Sequence, residues 1–322
     1  MASRLSIIVT SPLLAREGVA LLEAAGFNLH YTEAFPTPER VAALAGEVGA
    51  AAIIARQGGI TAAVMDAAPR LRIIARHGAG VDEVDLEAAR ARGIMVTRTP
   101  GANAWAVAEH ALALMLALLK DLPMLGAQIA AGGWRRGDHW ARDAQGLRLG
   151  LLGMGPIGQH TARLASAFGM RVSALSRQAA PEVYAHASRV ESLEALLETS
   201  DILSLHTALT PETGRIIGRA ALARMPQGSL LINTARGGLV DEPALLAALD
   251  SGHLAGAGLD VTEPEPPAPD HPFRRHPRII LTPHMAGVTA GSMRQMAVGA
   301  AECVVARLTG QPVPAERIVV AG

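Results

Sequence analysis

A chain of 322 residues exceeds one ordinary domain and sets the expectation of two packed units. Half of its residues are apolar, its formal charge is zero and aromatics are scarce, so it can bury sizeable cores and carries no charge signature of a nucleic-acid or membrane-surface partner. One cysteine, Cys303, excludes disulfide frameworks and thiolate metal clusters, and one lysine, Lys120, confines any Schiff-base mechanism to that position and leaves no P-loop lysine.

From the N-terminus the chain moves straight into an apolar, strand-like run, without the basic flank, long apolar region and small-residue cleavage site of a signal peptide, which predicts a cytoplasmic protein. Further strands are predicted at 5–10, 27–31, 51–56, 71–75 and 94–98, with helix-period segments between them. The segment 103–120 is apolar on nearly every side. It is too short, and too interrupted by Glu109 and His110, to span a bilayer, and it predicts a buried helix that bridges domains or lies in a subunit interface. A Gly- and Trp-containing stretch, 132–140, follows.

The second half repeats the alternation, with strands predicted at 147–152, 171–175, 202–205, 229–233, 254–259 and 279–281. A Pro-rich connector at 263–272 withholds N–H groups and cannot be helical. The last helical pattern, 292–308, encloses Cys303 as a bland buried thiol and is expected to return to the first domain. The fold class is therefore α/β, with two doubly wound parallel-sheet domains and a cleft between them. Residues 1–100 and 286–322 form the first, flavodoxin-like unit, and residues 101–285 form a Rossmann unit.

The strongest local signal is Gly153-Met154-Gly155-Pro156-Ile157-Gly158, directly behind the run 147–152 and ahead of a predicted helix at 157–168. One glycine makes the tight turn, one admits a pyrophosphate to the backbone and one lets helix pack on strand, while the helix N-terminus offers free N–H groups and its positive end. An NAD site places an acidic residue about twenty positions on, whereas here Ser176 and Arg177 stand at the end of the next strand. A hydroxyl leaves room for a ribose phosphate and a guanidinium grips it, so NADP is the expected cofactor, with NAD possible. Arg236, Glu265 and His284 stand just past the ends of later strands, where a nicotinamide ring would lie. The other histidines form no metal set: His271 and His276 share one loop without an evident third ligand, and no metal is expected.

These motifs together resemble the D-isomer-specific 2-hydroxyacid dehydrogenases. The likeness runs through Arg76-His77-Gly78-Ala79-Gly80-Val81-Asp82, Val107-Ala108-Glu109-His110, the glycine fingerprint, Thr210-Pro211-Glu212-Thr213, Asn233-Thr234-Ala235-Arg236-Gly237-Gly238, Gly258-Leu259-Asp260-Val261, Pro264-Glu265-Pro266 and Thr282-Pro283-His284. It implies that residues 1–100 and 286–322 bind substrate, with hydride transfer between NADP(H) and a small 2-oxo or D-2-hydroxy acid. By the same resemblance His284 is the general acid/base, Glu265 orients it and raises its pKa, and Arg236 binds the substrate carboxylate and carbonyl oxygen.

The resemblance further implies backbone N–H groups of Ala79 and Gly80 at the substrate carboxylate, and Asn103 facing the pocket. Pro156 and Ile157 would lie along the pyrophosphate. Thr207 and the run Thr234, Ala235, Arg236 would line the nicotinamide half, with Asp260 at the nicotinamide amide and Ala286 and Gly287 closing that side. Activity like that of hydroxypyruvate or glyoxylate reductases is favoured. Arg56 and Arg76 match arginines that hold the substrate phosphate in phosphoglycerate dehydrogenases, which makes that activity the alternative, although the chain stops at Gly322 without the regulatory extension many of them carry. Corepressor relatives use the same fold as a cofactor-gated binding module; no partner-binding tail is visible here, which argues for a free-standing enzyme. A homodimer through the 103–120 helix is also expected.

Overall fold

The computed structural model describes residues 4–134, 137, 140–177 and 180–322. The interior of the Gly- and Trp-containing stretch, at Arg135, Arg136, Asp138 and His139, lies outside the described residues. The chain divides into two compact units, Met1–Asn103 with Val288–Gly322, and Ala104–Gly287.

The first unit alternates β1 (Ser6–Val9), α1 (Arg16–Ala24), β2 (Asn28–Tyr31), α2 (Pro38–Val48), β3 (Ala52–Ala55), α3 (Ala62–Asp66), β4 (Ile73–Arg76), α4 (Leu86–Ala91) and β5 (Met95–Thr97). β3 is buried at all four residues and β4 at three of its four, because helices cover both faces of the sheet. Helix α2 shows why the sequence starts and stops it there. The Thr37 side chain accepts the N–H of Arg40, Pro38 opens the first turn, and Gly49 closes it in the left-handed region at φ 58°.

The second unit runs α5 (Ala104–Leu119), α6 (Leu122–Ala130), β6 (Arg148–Leu152), α7 (Pro156–Ala167), β7 (Arg171–Leu175), β8 (Ser188–Arg189), α8 (Leu193–Glu198), β9 (Ile202–Leu205), α9 (Arg219–Arg224), β10 (Ser229–Asn233), α10 (Glu242–Asp250), β11 (Leu254–Leu259) and β12 (Ile279–Leu281). The chain then returns to the first unit as α11 (Ala290–Thr309) and β13 (Ile318–Val320), and α11 packs on α1, β3 and β4 with Cys303 buried.

In the first sheet the order is β13-β5-β4-β3-β1-β2, which places the reversal of winding between β1 and β3. All its pairings are parallel but one, since β13 runs antiparallel to β5. The expected doubly wound parallel architecture thus carries one antiparallel edge strand that was not predicted: Ile318-Val319-Val320 is too short a run, so close behind Pro314, to stand out as a strand. The second sheet is parallel throughout in the order β12-β11-β10-β9-β6-β7-β8, with its reversal between β6 and β9.

The nearly all-apolar α5 is accounted for inside its own unit. It packs against α7, β10 and β11, with Ala111 and Met115 wholly buried. Among the described residues no single helix is long and apolar enough to cross a membrane; only α5 with α6, bent by 61° at their break, would pass by length and composition.

Candidate active site

Every expected cofactor and catalytic position of the second unit lies just past the C-terminal end of one of its parallel strands, the edge where open α/β sheets bind ligands. The glycine loop leaves β6 beside the reversal of winding. Gly153 has φ 108°, and a Cβ there would stand 2.5 Å from the carbonyl oxygen of His206. A Cβ on Gly158 would stand 2.3 Å from the carbonyl oxygen of Gly153, so the helix can press on the strand only without a side chain. Gly155, which caps α7, has nothing within 4 Å of its would-be Cβ. Two glycines are thus demanded by protein packing and the third opens on free space before the first-turn N–H groups of Pro156-headed α7, including that of Ile157. A dinucleotide pyrophosphate fits that cradle.

Ser176 and Arg177 follow β7. The exposed Glu212 lies within Coulombic reach of Arg177: its carboxyl is held below the ordinary range first by the Thr210 hydroxyl at 2.7 Å, then by its own backbone N–H, and also by the Arg177 charge. After β9 come His206 and Thr207. His206 is partly buried, and the burial of its ring pushes the imidazole down to about 4, which leaves it neutral; Nε2 meets Ser204 Oγ at 3.0 Å, and the buried Nδ1 has no partner among the described residues. After β10, the Thr234 hydroxyl is also buried with no partner among the described residues.

Arg236 is set by a local turn. Asn233 accepts the N–H of Ala235 at 3.0 Å and donates from Nδ2 to the Arg236 carbonyl at 2.8 Å. The next residue, Gly237, would place a Cβ 2.2 Å from the carbonyl of Thr262, so only glycine lets this turn lie against the loop that carries Glu265. On that loop the peptide bonds before Pro264 and Pro266 are cis.

Glu265 Oε2 is 2.7 Å from Nδ1 of His284, and its Oε1 accepts the N–H of Thr262 at 3.2 Å. The imidazole is raised above its usual pKa by that hydrogen bond, against the effect of burial, with help from the charges of Glu265 and Asp260 and opposition from Arg236. Burial pushes the Glu265 carboxyl up but is outweighed, and it lies below the ordinary value through its bond to His284, the imidazolium charge, the Thr262 N–H and Arg236. With Nδ1 held by Glu265, Nε2 is the nitrogen left to exchange a proton, on a side chain that is about half exposed.

His284 itself sits at φ 54°, a conformation rare for a residue with a Cβ. Asp260, buried and just past β11, over-determines it. The Asp260 carbonyl accepts the His284 N–H at 2.8 Å, and its carboxylate accepts the N–H groups of Met285 at 2.8 Å and Ala286 at 2.7 Å and the Thr282 hydroxyl at 2.5 Å. His110 of α5 reaches Thr282 Oγ1 at 3.0 Å from behind. Asp260 is therefore first of all the post that holds the histidine turn, with Ala286 tied to it and Gly287 following. His110 and His206 had no role read from the sequence. His110 was visible only as part of a motif, and His206 only as a residue next to a strand end.

The remaining expected residues belong to the first unit. Arg76 is a clamp on its own neighbourhood: Nε donates to Gly80 O at 2.9 Å, Nη1 to Ala55 O at 2.9 Å and Arg56 O at 2.7 Å, and Nη2 pairs with Glu83 at 2.9 Å. These donors are thus committed to the end of β3 and to the segment that carries Gly80 and Glu83. Arg56 follows β3 at that unit's reversal of winding. Its backbone N–H is held by Thr10 Oγ1 at 2.9 Å and its Nη1 donates to Ser11 Oγ at 2.8 Å. Asn103 ends the unit. Among the described residues no group of three His, Cys, Asp or Glu side chains could hold a metal, and His271 and His276 pair with Glu242 and Asp250 instead.

A Rossmann unit with a glycine loop after β6, and with a histidine–glutamate pair and an arginine past the ends of later strands, is the frame of a dinucleotide-binding enzyme family. Residues 112–286 match the family model described as D-isomer specific 2-hydroxyacid dehydrogenase, NAD binding domain, and the chain belongs to that family. It is 39% identical to a D-3-phosphoglycerate dehydrogenase of Mycobacterium tuberculosis over 86% of this chain and 53% of that protein, so it spans about half the length of that relative. It is 40% identical to a hydroxypyruvate reductase of Thermotoga maritima, over 74% of this chain and 78% of that one. The crystal structure of the TT0316 protein from Thermus thermophilus superposes with a TM-score of 0.90 at 41% identity, covering 98% of this chain and all of the other.

Proposed function

We propose that the chain reduces a small 2-oxo acid to a D-2-hydroxy acid with NADPH, in the manner of a hydroxypyruvate or glyoxylate reductase. The observation that carries this is the 2.7 Å contact of Glu265 with Nδ1 of His284, which favours the protonated ring and turns Nε2 to the proton exchange. A bound nicotinamide dinucleotide would supply the hydride. His284 then gives its Nε2 proton to the carbonyl oxygen as negative charge builds there, Glu265 stabilises the protonated imidazole, and Arg236 grips the substrate carboxylate. Ser176 and Arg177 support NADPH over NADH, since neither repels a ribose phosphate and Arg177 attracts one.

Arg56 favours a second activity, oxidation of 3-phosphoglycerate, because it stands at the reversal of winding of its sheet and keeps Nε uncommitted among the described residues. Self-association is proposed through the expected 103–120 helix together with the adjoining α6, none of whose residues is buried and which exposes Leu122, Met124 and Ile129. The test is one preparation, checked for a dimer by sedimentation and assayed with hydroxypyruvate, glyoxylate, pyruvate and 3-phosphohydroxypyruvate against both reduced cofactors. Fastest turnover of an unphosphorylated acid with NADPH is expected. Preference for the phosphorylated acid would transfer the assignment to the second activity, and no turnover on any would overturn both.

A further inference from the structure

Glu265 sits on the loop after β11, outside any regular element, and a loop carboxylate needs support if it is to stay on a histidine. Thr262 braces the loop from within, through its N–H to Glu265 and its hydroxyl to the Pro264 carbonyl at 2.9 Å. A second brace comes from outside. Glu242, in the first turn of α10, accepts the N–H of Glu263 on Oε1 at 3.1 Å, and its Oε2 lies 3.0 Å from Nε2 of His271. Nδ1 of His271 accepts the N–H of Phe273 at 3.3 Å, which assigns the proton to Nε2 and makes His271 the donor to Glu242. Both side chains are only 15% exposed, so removal of either leaves a largely desolvated polar group without its partner. The bonds form one continuous run from Phe273 through His271 and Glu242 to Glu263, two residues short of Glu265.

We propose that Glu242 and His271 are positioning residues for the hydride-transfer site, holding loop 263–266 so that Glu265 stays on His284. This rests on His284 as the proton donor. The charged groups that act on His284 are Glu265, Asp260 and Arg236. Glu242 is not among them, so its influence passes through the placement of the loop and not through its own field.

The experiment compares Glu242→Ala, His271→Ala and His271→Gln with the wild-type chain, reading kcat, the KM for NADPH, the melting temperature and the titration midpoint of the His284 ring by NMR. Glutamine can keep a donor near the place of Nε2. The two alanine variants should lose about 10- to 100-fold in kcat with little change in KM for NADPH, and their His284 midpoint should fall. His271→Gln should recover most of both. A wild-type midpoint and kcat in a folded Glu242→Ala chain would overturn the proposal. If that variant does not fold, equal kcat and equal midpoints in His271→Ala, His271→Gln and wild type overturn it instead. The NMR midpoint reports on the brace even if turnover proves independent of His284, so failure of the underlying assignment is seen separately.

Discussion

His284→Asn is expected to lower kcat for 2-oxo acid reduction by about 100- to 10,000-fold while changing NADPH affinity by less than about twofold. Asparagine is the informative replacement because it tolerates the left-handed backbone that His284 adopts at φ 54° and keeps an N–H for Glu265. The turn tied to Asp260 should survive, and the loss should be chemical. What disappears is the Nε2 proton. Steady-state kinetics with cofactor binding by fluorescence checks this, and a wild-type rate would remove His284 from the chemistry.

The second large effect concerns the adenosine end. Replacing Ser176 by aspartate and Arg177 by serine should lower the ratio of kcat/KM for NADPH to that for NADH by about 100-fold or more. Each charge-assisted hydrogen bond to a phosphate contributes about 1.5–3 kcal/mol, and the new carboxylate adds repulsion where the hydroxyl left room. An unchanged ratio would take Arg177 out of the phosphate site.

Much of this was legible in the sequence because it is written locally. The glycine loop needs a strand before it and a helix behind it, and both are periodic signals close at hand; the three glycines then prove to do three different things. Strand ends gave Arg236, Glu265 and His284, because the C-terminal edge of a parallel sheet gathers ligand-binding groups whatever their separation in the chain. What stayed hidden depends on distant packing. Nothing local tells that Arg76 spends its donors on carbonyls and Glu83, that the Asp260 carboxylate accepts three bonds from the histidine turn, or that His271, dismissed as a metal ligand, pairs with Glu242. The strand β13 escaped for a different reason: three residues carry too little pattern to reveal an antiparallel partner on β5.

The pH dependence of kcat/KM for NADPH-driven reduction tests most directly the claim that a protonated His284, held by Glu265, is the acid. Glu265 lies below the ordinary carboxylate range and stays ionised across neutral pH, while His284 is raised above its ordinary value of about 6.5. Reduction needs the protonated ring, so the rate should fall as pH rises through that raised value, and the limb should vanish in His284→Asn. A profile that is flat across this range, or a falling limb that persists in the variant, would contradict the account.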